Sequence, residues 1–388
     1  MLPHDSRKIA FLLSSFRAGG GEKQLIEIAN AFVERGHRAD ILVLKPVGQY
    51  ESHIDPRVRV ISLDAGRMLF SLPKLIAYLR NERPDVLLGL DEYTHLLAIV
   101  ARAWSGAPTR IVLRIGNMLT ELFERYQGKS AIMPYFVRRL YKKADHIIGN
   151  SRGVADDVIT VTGIPADRVS VIFNPKPRVQ ILVQAEEPVD YPWLKEKTMP
   201  VVIAVGRLRE QKNFALVIRA FSKVMQTVPA KLIIVGTGRE EGRLRDLVRE
   251  LGSEESIALV GYSDNPYAWM KKADVYVAAS LWEGLPNALL EALVCGLPSI
   301  AADCSSGPRE ILAPDTEYRK RLVVGDGVEY ARYGALVAVN DQDSLVEALT
   351  RFLTDFALRQ DYSVKSMERS KDFDSQDIVS EYARVMGV

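Results

Sequence analysis

Short apolar runs recur along the chain, each followed by a segment in which apolar residues return every third or fourth position. The first run, Lys8-Ile-Ala-Phe-Leu-Leu-Ser-Ser-Phe16, predicts a buried strand, and Leu25, Ile26, Ile28, Ala29 and Phe32 predict an amphipathic helix behind it. The same reading predicts strands at 39–46, 58–64, 85–91, 109–115, 144–150 and 168–174, with helices at 72–82, 93–105 and 133–143. Strands separated by helices of ten or more residues imply a parallel sheet covered on both faces.

After Asn174 the pattern stops. Pro175, Pro177, Pro188 and Pro192 argue against regular helix or central strand, so 176–198 reads as an interdomain linker. Alternation then restarts, with strands at 201–205, 231–235, 257–260, 274–279 and 298–302 and helices at 214–226, 240–250, 266–271 and 287–294. The expected architecture is α/β: a Rossmann-like domain over 1–175, a second over 199–370, and a cleft between them. The segment 371–388 carries an amphipathic terminal helix, Ser375 to Met386, expected to return to the first domain.

A length of 388 residues, 47% of them hydrophobic, fits two domains with large cores. Cys295 and Cys304 are the only cysteines, which provide neither a disulfide framework nor a CxxC pair and fit a reducing compartment. The start of the chain lacks a small-residue cleavage pattern, and no apolar stretch approaches the ~20 residues that span a bilayer. A cytoplasmic protein is expected. Charge is uneven: residues 1–185 hold 26 Lys+Arg against 18 Asp+Glu, and the rest hold 25 against 31. The first half therefore suits an anionic partner. Without zinc-finger spacing, an RNP-like aromatic run or a continuous basic helix, nucleic acid is set aside in favour of lipid phosphate or an anionic membrane surface. The stretch 118–146, with Arg138, Arg139, Lys142 and Lys143 among apolar residues, reads either as a peripheral membrane contact or as a solvated helix face.

Ligands on parallel sheets bind at the carboxyl ends of strands. In the first half those ends carry Gly19-Gly20-Gly21, Asp91 to His95, Arg114-Ile-Gly-Asn117 and Asn150-Ser-Arg152. The glycine turn matches neither GxGxxG nor a P-loop, and serves equally as a tight turn or as a place where backbone approaches a ligand. His95 is a candidate base or substrate contact, against an ordinary surface or cap residue; Arg114 and Asn117 are better placed for polar recognition. In the second half, Gly206-Arg207 and Lys212 bring two cations to a strand end, where they can converge on a diphosphate unless they are simply surface charges. Gly236-Thr-Gly238 would let a ligand lie against backbone, and Gly261-Tyr262 would pack a flat base. In Glu283-Gly-Leu-Pro-Asn-Ala-Leu-Leu-Glu291, Pro286 is expected to open a helix whose Asn287 and Ala288 N–H groups point at a phosphate. The two glutamates would accept from sugar hydroxyls, or be solvated residues on an ordinary helix. Asp341-Gln-Asp343 and Asp372-Phe-Asp374 look like metal-binding DxD pairs, but each precedes a helical pattern and reads as a cap. No metal or cofactor is expected.

Taken in order, these pieces resemble the retaining glycosyltransferases of family four, which have the two-domain GT-B fold. The closer resemblance, through Asp303-Cys-Ser-Ser-Gly-Pro-Arg-Glu-Ile-Leu312 and Glu329-Tyr-Ala-Arg-Tyr-Gly334, is to bacterial transferases that build glycans on polyprenyl diphosphate. The resemblance implies that Arg207 and Lys212 hold a donor diphosphate, Glu291 the ribose and Glu283 a hydroxyl of the transferred sugar. Asn287 and Ala288 would also meet phosphate, with Gly20 and Gly21 closing from the first domain. It implies a nucleotide-sugar donor, UDP-sugar before GDP-mannose, and a glycan or lipid-linked acceptor. Gly116 stands where the family often has a histidine, so Arg114 or Asn117 would substitute for it. The rivals are an epimerase or phosphorylase of the same fold and a catalytically silent nucleotide-sugar-binding protein.

Overall fold

The alternating runs become two seven-stranded sheets in the computed structural model of the chain, which describes residues 6–17, 19–63 and 70–388. Ala18 of the glycine turn, Asp64 at the end of the predicted strand 58–64, and the first five residues lie outside the described residues. The first sheet holds β1 (Lys8–Ser15), β2 (Arg38–Lys45), β3 (Arg59–Ser62), β4 (Val86–Gly89), β5 (Arg110–Ile115), β6 (His146–Gly149) and β7 (Val169–Val171) in the order β3-β2-β1-β4-β5-β6-β7, all parallel. The second holds β8 (Val201–Val205), β9 (Lys231–Val235), β10 (Ile257–Gly261), β11 (Val275–Ala278), β12 (Ser299–Ala302), β13 (Glu329–Ala331) and β14 (Gly334–Val337) in the order β10-β9-β8-β11-β12-β14-β13. Its edge strand β13 runs antiparallel to β14. Neither of these last two strands is among the predicted elements.

The chain divides into one unit of Met1–Pro175 with Ser375–Val388 and another of Lys176–Asp374. The terminal helix Ser375–Met386 thus belongs to the first unit, where Ile378, Val379, Tyr382 and Met386 join the core that contains Ile9, Phe11, Ile28 and Phe32. The other face of that sheet buries Leu87, Leu113, Tyr141 and Val158, and the second unit has its own core around Val202, Phe221, Ile234 and Phe352.

The expected linker is a correction. Residues 178–185 and 192–195 are helices, Arg178–Ala185 and Pro192–Lys195, with Ile181, Ala185 and Leu194 buried. Pro177 caps the first helix and Pro192 opens the second, positions where a missing N–H costs nothing. Asn265 Nδ2 donates to Gln184 O at 2.7 Å, tying the first helix into the second unit. The helices Arg152–Thr162 and Phe356–Ser370 are also additions to the predicted set.

Tyr382 is fully buried and its hydroxyl accepts from Arg114 Nε at 3.2 Å. Tyr382→Ala empties an aromatic site and removes that acceptor, so a loss of about 3–5 kcal/mol is expected in denaturant unfolding of the first unit, with the second unit unaffected.

Candidate functional site

Strand order decides where a ligand can sit. β8 and β11 are neighbours, yet the sheet grows from β8 toward β9 on one side and from β11 toward β12 on the other. The connections that follow these two strands lead to opposite sides of the sheet, and such a reversal is where ligands of open α/β sheets bind. The segment leaving β8 carries Gly206, Arg207 and Lys212; the one leaving β11 carries Ser280 and Glu283. Two hydrogen bonds clamp them together: Gln211 Nε2 donates to Trp282 O at 2.9 Å, and Leu281 N donates to Gln211 O at 2.8 Å.

Across this clamp Lys212 Nζ donates to Glu283 Oε1, which also accepts from Ser280 Oγ at 2.8 Å. Glu283 is buried, so its charge needs these partners. Lys212 ends the short turn Glu210–Lys212, and Asn213 takes a left-handed φ of 49° before the helix Phe214–Val224. Asparagine tolerates that conformation. Arg207 is exposed beside Arg209, and the guanidinium of Arg209 is held below its ordinary pKa first by Arg207, then by burial and by Arg239. The carboxyl ends of β8 and β9 thus form a cationic rim.

The glycines after β9 are explained by close approach of backbone. A Cβ on Gly236 would fall 1.9 Å from Gly206 O, and one on Gly238 would fall 2.2 Å from Leu208 O. Leu208 N donates to Thr237 O at 2.9 Å, so the two loops interlock. Gly206 itself has room for a Cβ at ordinary contact distances. Tyr262, after Gly261, is exposed and able to present its ring.

The helix after Glu283 spans Asn287–Val294, and Pro286 precedes it as the cap residue rather than occupying its first position. No side chain caps this end. Gly307 packs under the turn, where a Cβ would come within 2.7 Å of Gly284 O and Pro286 Cδ. Glu291 lies inside the helix with Oε1 accepting from Lys176 Nζ at 3.2 Å. Lys176 was hidden from sequence reasoning inside the supposed linker; its only signal is the Asn-Pro-Lys run ahead of it.

In the first unit the switch point lies between β1 and β4. Gly20 and Gly21 are the first residues of the helix Gly20–Glu34, and Gly19 caps it at an extended φ of −151°, so none of these three glycines is left-handed. A Cβ on Gly21 would press on Leu90 Cδ1 at 3.3 Å. Asp91 accepts from Ser14 Oγ at 2.6 Å and caps the helix Glu92–Ser105. His95 is a correction: it is 1% exposed, with Nδ1 2.7 Å from the Tyr141 hydroxyl, and is a core residue of that helix rather than a strand-end contact. Arg114 is also buried, 2% exposed, and donates to the side-chain oxygens of Gln24 and Asn174 as well as to Tyr382. Its work here is to join β5 to two helices. Asn117 is exposed and near Gly116, where a Cβ would stand 3.5 Å from Arg114 Nη1. In 118–146 the helix Met133–Leu140 buries Met133 and Val137 and leaves Tyr135, Phe136 and the preceding Ile132 exposed beside Arg138 and Arg139.

Of the two DxD runs, Asp341 caps the helix Gln342–Thr354 by accepting from Ser344 N at 3.0 Å. Asp372 pairs with Arg369 and Asp374 with Arg178. Cys295 and Cys304 are both buried thiols, and burial pushes Cys295 up to about 12.

The fold is the two-domain GT-B fold of glycosyltransferases. The Glycosyltransferase Family 4 model matches residues 18–175 and the Glycosyl transferases group 1 model matches 189–369. The chain is 31% identical over 297 residues to the N-acetylgalactosamine-N,N'-diacetylbacillosaminyl-diphospho-undecaprenol 4-alpha-N-acetylgalactosaminyltransferase of Campylobacter jejuni, covering 75% of this chain and 74% of that one. It is 27% identical over 325 residues to the lipopolysaccharide core biosynthesis glycosyltransferase LpsE of Rhizobium meliloti, covering 81% and 84%. Among solved structures, Anabaena Alr3699/HepE in complex with UDP-glucose superposes with a TM-score of 0.79 at 21% identity over 98% of this chain and 99% of that one. The lipopolysaccharide glycosyltransferase WaaG does so at 0.74 and 16%, over 97% and 99%. The protein belongs to the group 1, family four glycosyltransferases.

Burial lifts Glu92, helped by the charge of Asp91, to about 7 and lowers His95 to about 4. A raised carboxyl stabilises the fold below its ordinary value of 4.5 and loses that contribution as pH rises through about 7. A lowered histidine does the reverse, contributing above 6.5 and losing it as pH falls through about 4. Glu92→Gln is therefore expected to leave the melting temperature unchanged at pH 4.5 and raise it at pH 8; a lower value at pH 8 would contradict this environment.

Proposed function

We propose that the protein transfers a hexose or N-acetylhexosamine, with retention and without a metal, from a nucleotide-sugar to a glycan acceptor carried on polyprenyl diphosphate. The reaction would serve cell-surface polysaccharide or glycan assembly. The observation that carries this reading is the Lys212–Glu283 pair, clamped at the switch point beside exposed Arg207. The second domain takes the donor and the first the acceptor.

Cleavage of a sugar–diphosphate bond develops positive charge at the anomeric carbon and negative charge on the leaving oxygen. Arg207 and Lys212 meet the diphosphate, so their charge is aimed where charge grows. Glu283 accepts from a hydroxyl of the transferred sugar, Glu291 from the ribose, and the uncapped helix start at Asn287 and Ala288 faces phosphate. Gly206, Gly236 and Gly238 bring the two loops of the donor site together, and Tyr262 packs the base. The acceptor attacks on the face the diphosphate leaves, and the leaving oxygen takes its proton. UDP-sugar is favoured over GDP-mannose, supported by the Anabaena structures bound to UDP and UDP-glucose. The lipid-linked acceptor is supported by the name of the Campylobacter relative. A catalytically silent binder is the second reading, and the intact pairing of Lys212 with Glu283 argues against it.

The enzyme would work at the inner face of the cytoplasmic membrane, held there by 118–146. No helix among the described residues is long and apolar enough to cross a membrane.

Arg207→Ala is expected to abolish transfer while the melting temperature holds; Lys212→Ala is expected to abolish transfer and also to lower the melting temperature, because it leaves the buried Glu283 carboxylate without its counter-ion. Activity is expected to survive EDTA. Near-normal turnover in either variant, or strict dependence on a divalent ion, would sink the assignment. A thermal-shift panel of nucleotides and nucleotide-sugars, then UDP or GDP release with and without lipid-linked acceptor, separates transferase from silent binder. Neutralising Arg138, Arg139, Lys142 and Lys143 is expected to release the protein from anionic liposomes in cosedimentation, and unchanged binding would refute the docking face.

A further inference from the structure

The two units are joined at residues 175–176 and 374–375. On the side of the second unit those crossings are held side by side. Lys176 and Asp374 form a parallel bridge, Lys176 N donates to Phe373 O at 2.8 Å, and Arg178 adds a hydrogen bond from Nε to Ser370 Oγ at 3.1 Å. The side chain of Lys176 then runs inward. Its Nζ is 3.2 Å from Glu291 Oε1, with side-chain exposures of 3% and 12%.

This pair is placed unlike an ordinary surface ion pair. A lysine at a chain crossing would normally reach water; here it spends its charge on a carboxylate held almost out of solvent. The helix carrying Glu291 packs against Arg178–Ala185, the helix that begins two residues after Lys176. Among the described residues the Glu291 carboxylate takes its hydrogen bond from Lys176 at Oε1, which ties that oxygen to the crossing and leaves Oε2 for a ligand.

We propose that Lys176 is a positioning residue of the donor site, orienting Glu291 for the ribose hydroxyls and linking their binding to the paired chain crossings. The inference rests on the reading of Glu291 as the ribose acceptor. Lys176 touches no substrate. Its ammonium fixes which oxygen of Glu291 faces the ligand, and its backbone bond to Phe373 O connects that carboxylate to the paired crossings.

The test compares UDP with 2′,3′-dideoxyuridine diphosphate in calorimetric titrations of the wild type, Lys176→Gln and Lys176→Arg, with GDP and its dideoxy analogue run alongside. A charge-assisted hydrogen bond to the ribose should make the wild type prefer the ribonucleotide by about tenfold to a hundredfold. Lys176→Gln is expected to reduce that preference to about twofold or less, and Lys176→Arg to restore most of it. Equal affinities in the wild type would overturn the ribose reading and the proposal with it. A preference that survives in Lys176→Gln would overturn the role of Lys176 alone, as would a uniform loss of affinity for both nucleotides. Should Lys176→Gln not fold, hydrogen exchange on the wild type decides: UDP is expected to protect the peptides containing Lys176 and Phe373 more than the dideoxy analogue does, and equal protection overturns the proposal.

Discussion

The reversal of strand order between β8 and β11 governs the chemistry of the second domain. Crossovers between parallel strands are right-handed, so a chain that builds outward from the middle of a sheet in both directions covers opposite faces. Such a reversal point is where ligands of open α/β sheets bind. Lys212 comes from one segment and Glu283 from the other. Within its own segment Glu283 finds only the Ser280 hydroxyl, and the sheet supplies the opposite charge by setting the two strand ends side by side. The backbone clamp through Gln211 and the interlocked glycine loops then hold the pair with little freedom.

Several buried charges in this protein are paired with an opposite charge, which offsets their desolvation. Arg309 is sealed among Asp303 at 2.6 Å, Glu329 at 2.9 Å and Thr316. Asp303, Arg309 and Glu329 belong to the two segments through which the sequence resembles glycan-building transferases, so part of that signature is architectural: it pins the edge strand β13 to the helix Pro308–Leu312. Arg114 is the contrast, a buried cation whose described hydrogen bonds all go to neutral oxygens. Amide and hydroxyl dipoles from three separate elements solvate it, which makes it a joint of the first domain.

Much of this was legible in advance. The strand and helix pattern needed only local periodicity, and Arg207, Lys212, Glu283 and Glu291 were singled out from the segments that follow two strands and from the resemblance those segments carry. Misreadings arose where a residue type has two uses. Proline at 177 and 192 was taken as a breaker and proved to be a helix opener; the glycines at 20 and 21 were taken as turn residues and proved to be helical. His95 lay beside a plausible strand end, but one further turn of helix carries its ring beneath β4 and against Tyr141.

By itself the sequence determined the two parallel α/β domains, their rough boundaries and the residues available at each strand end, because these depend on patterns within ten or twenty neighbouring positions. Only the tertiary structure decided which strand ends are adjacent, that Lys212 meets Glu283, and that Lys176 reaches Glu291 across 115 positions of chain. Strand order and the burial of a side chain are set by contacts between distant segments, and no local pattern carries that information.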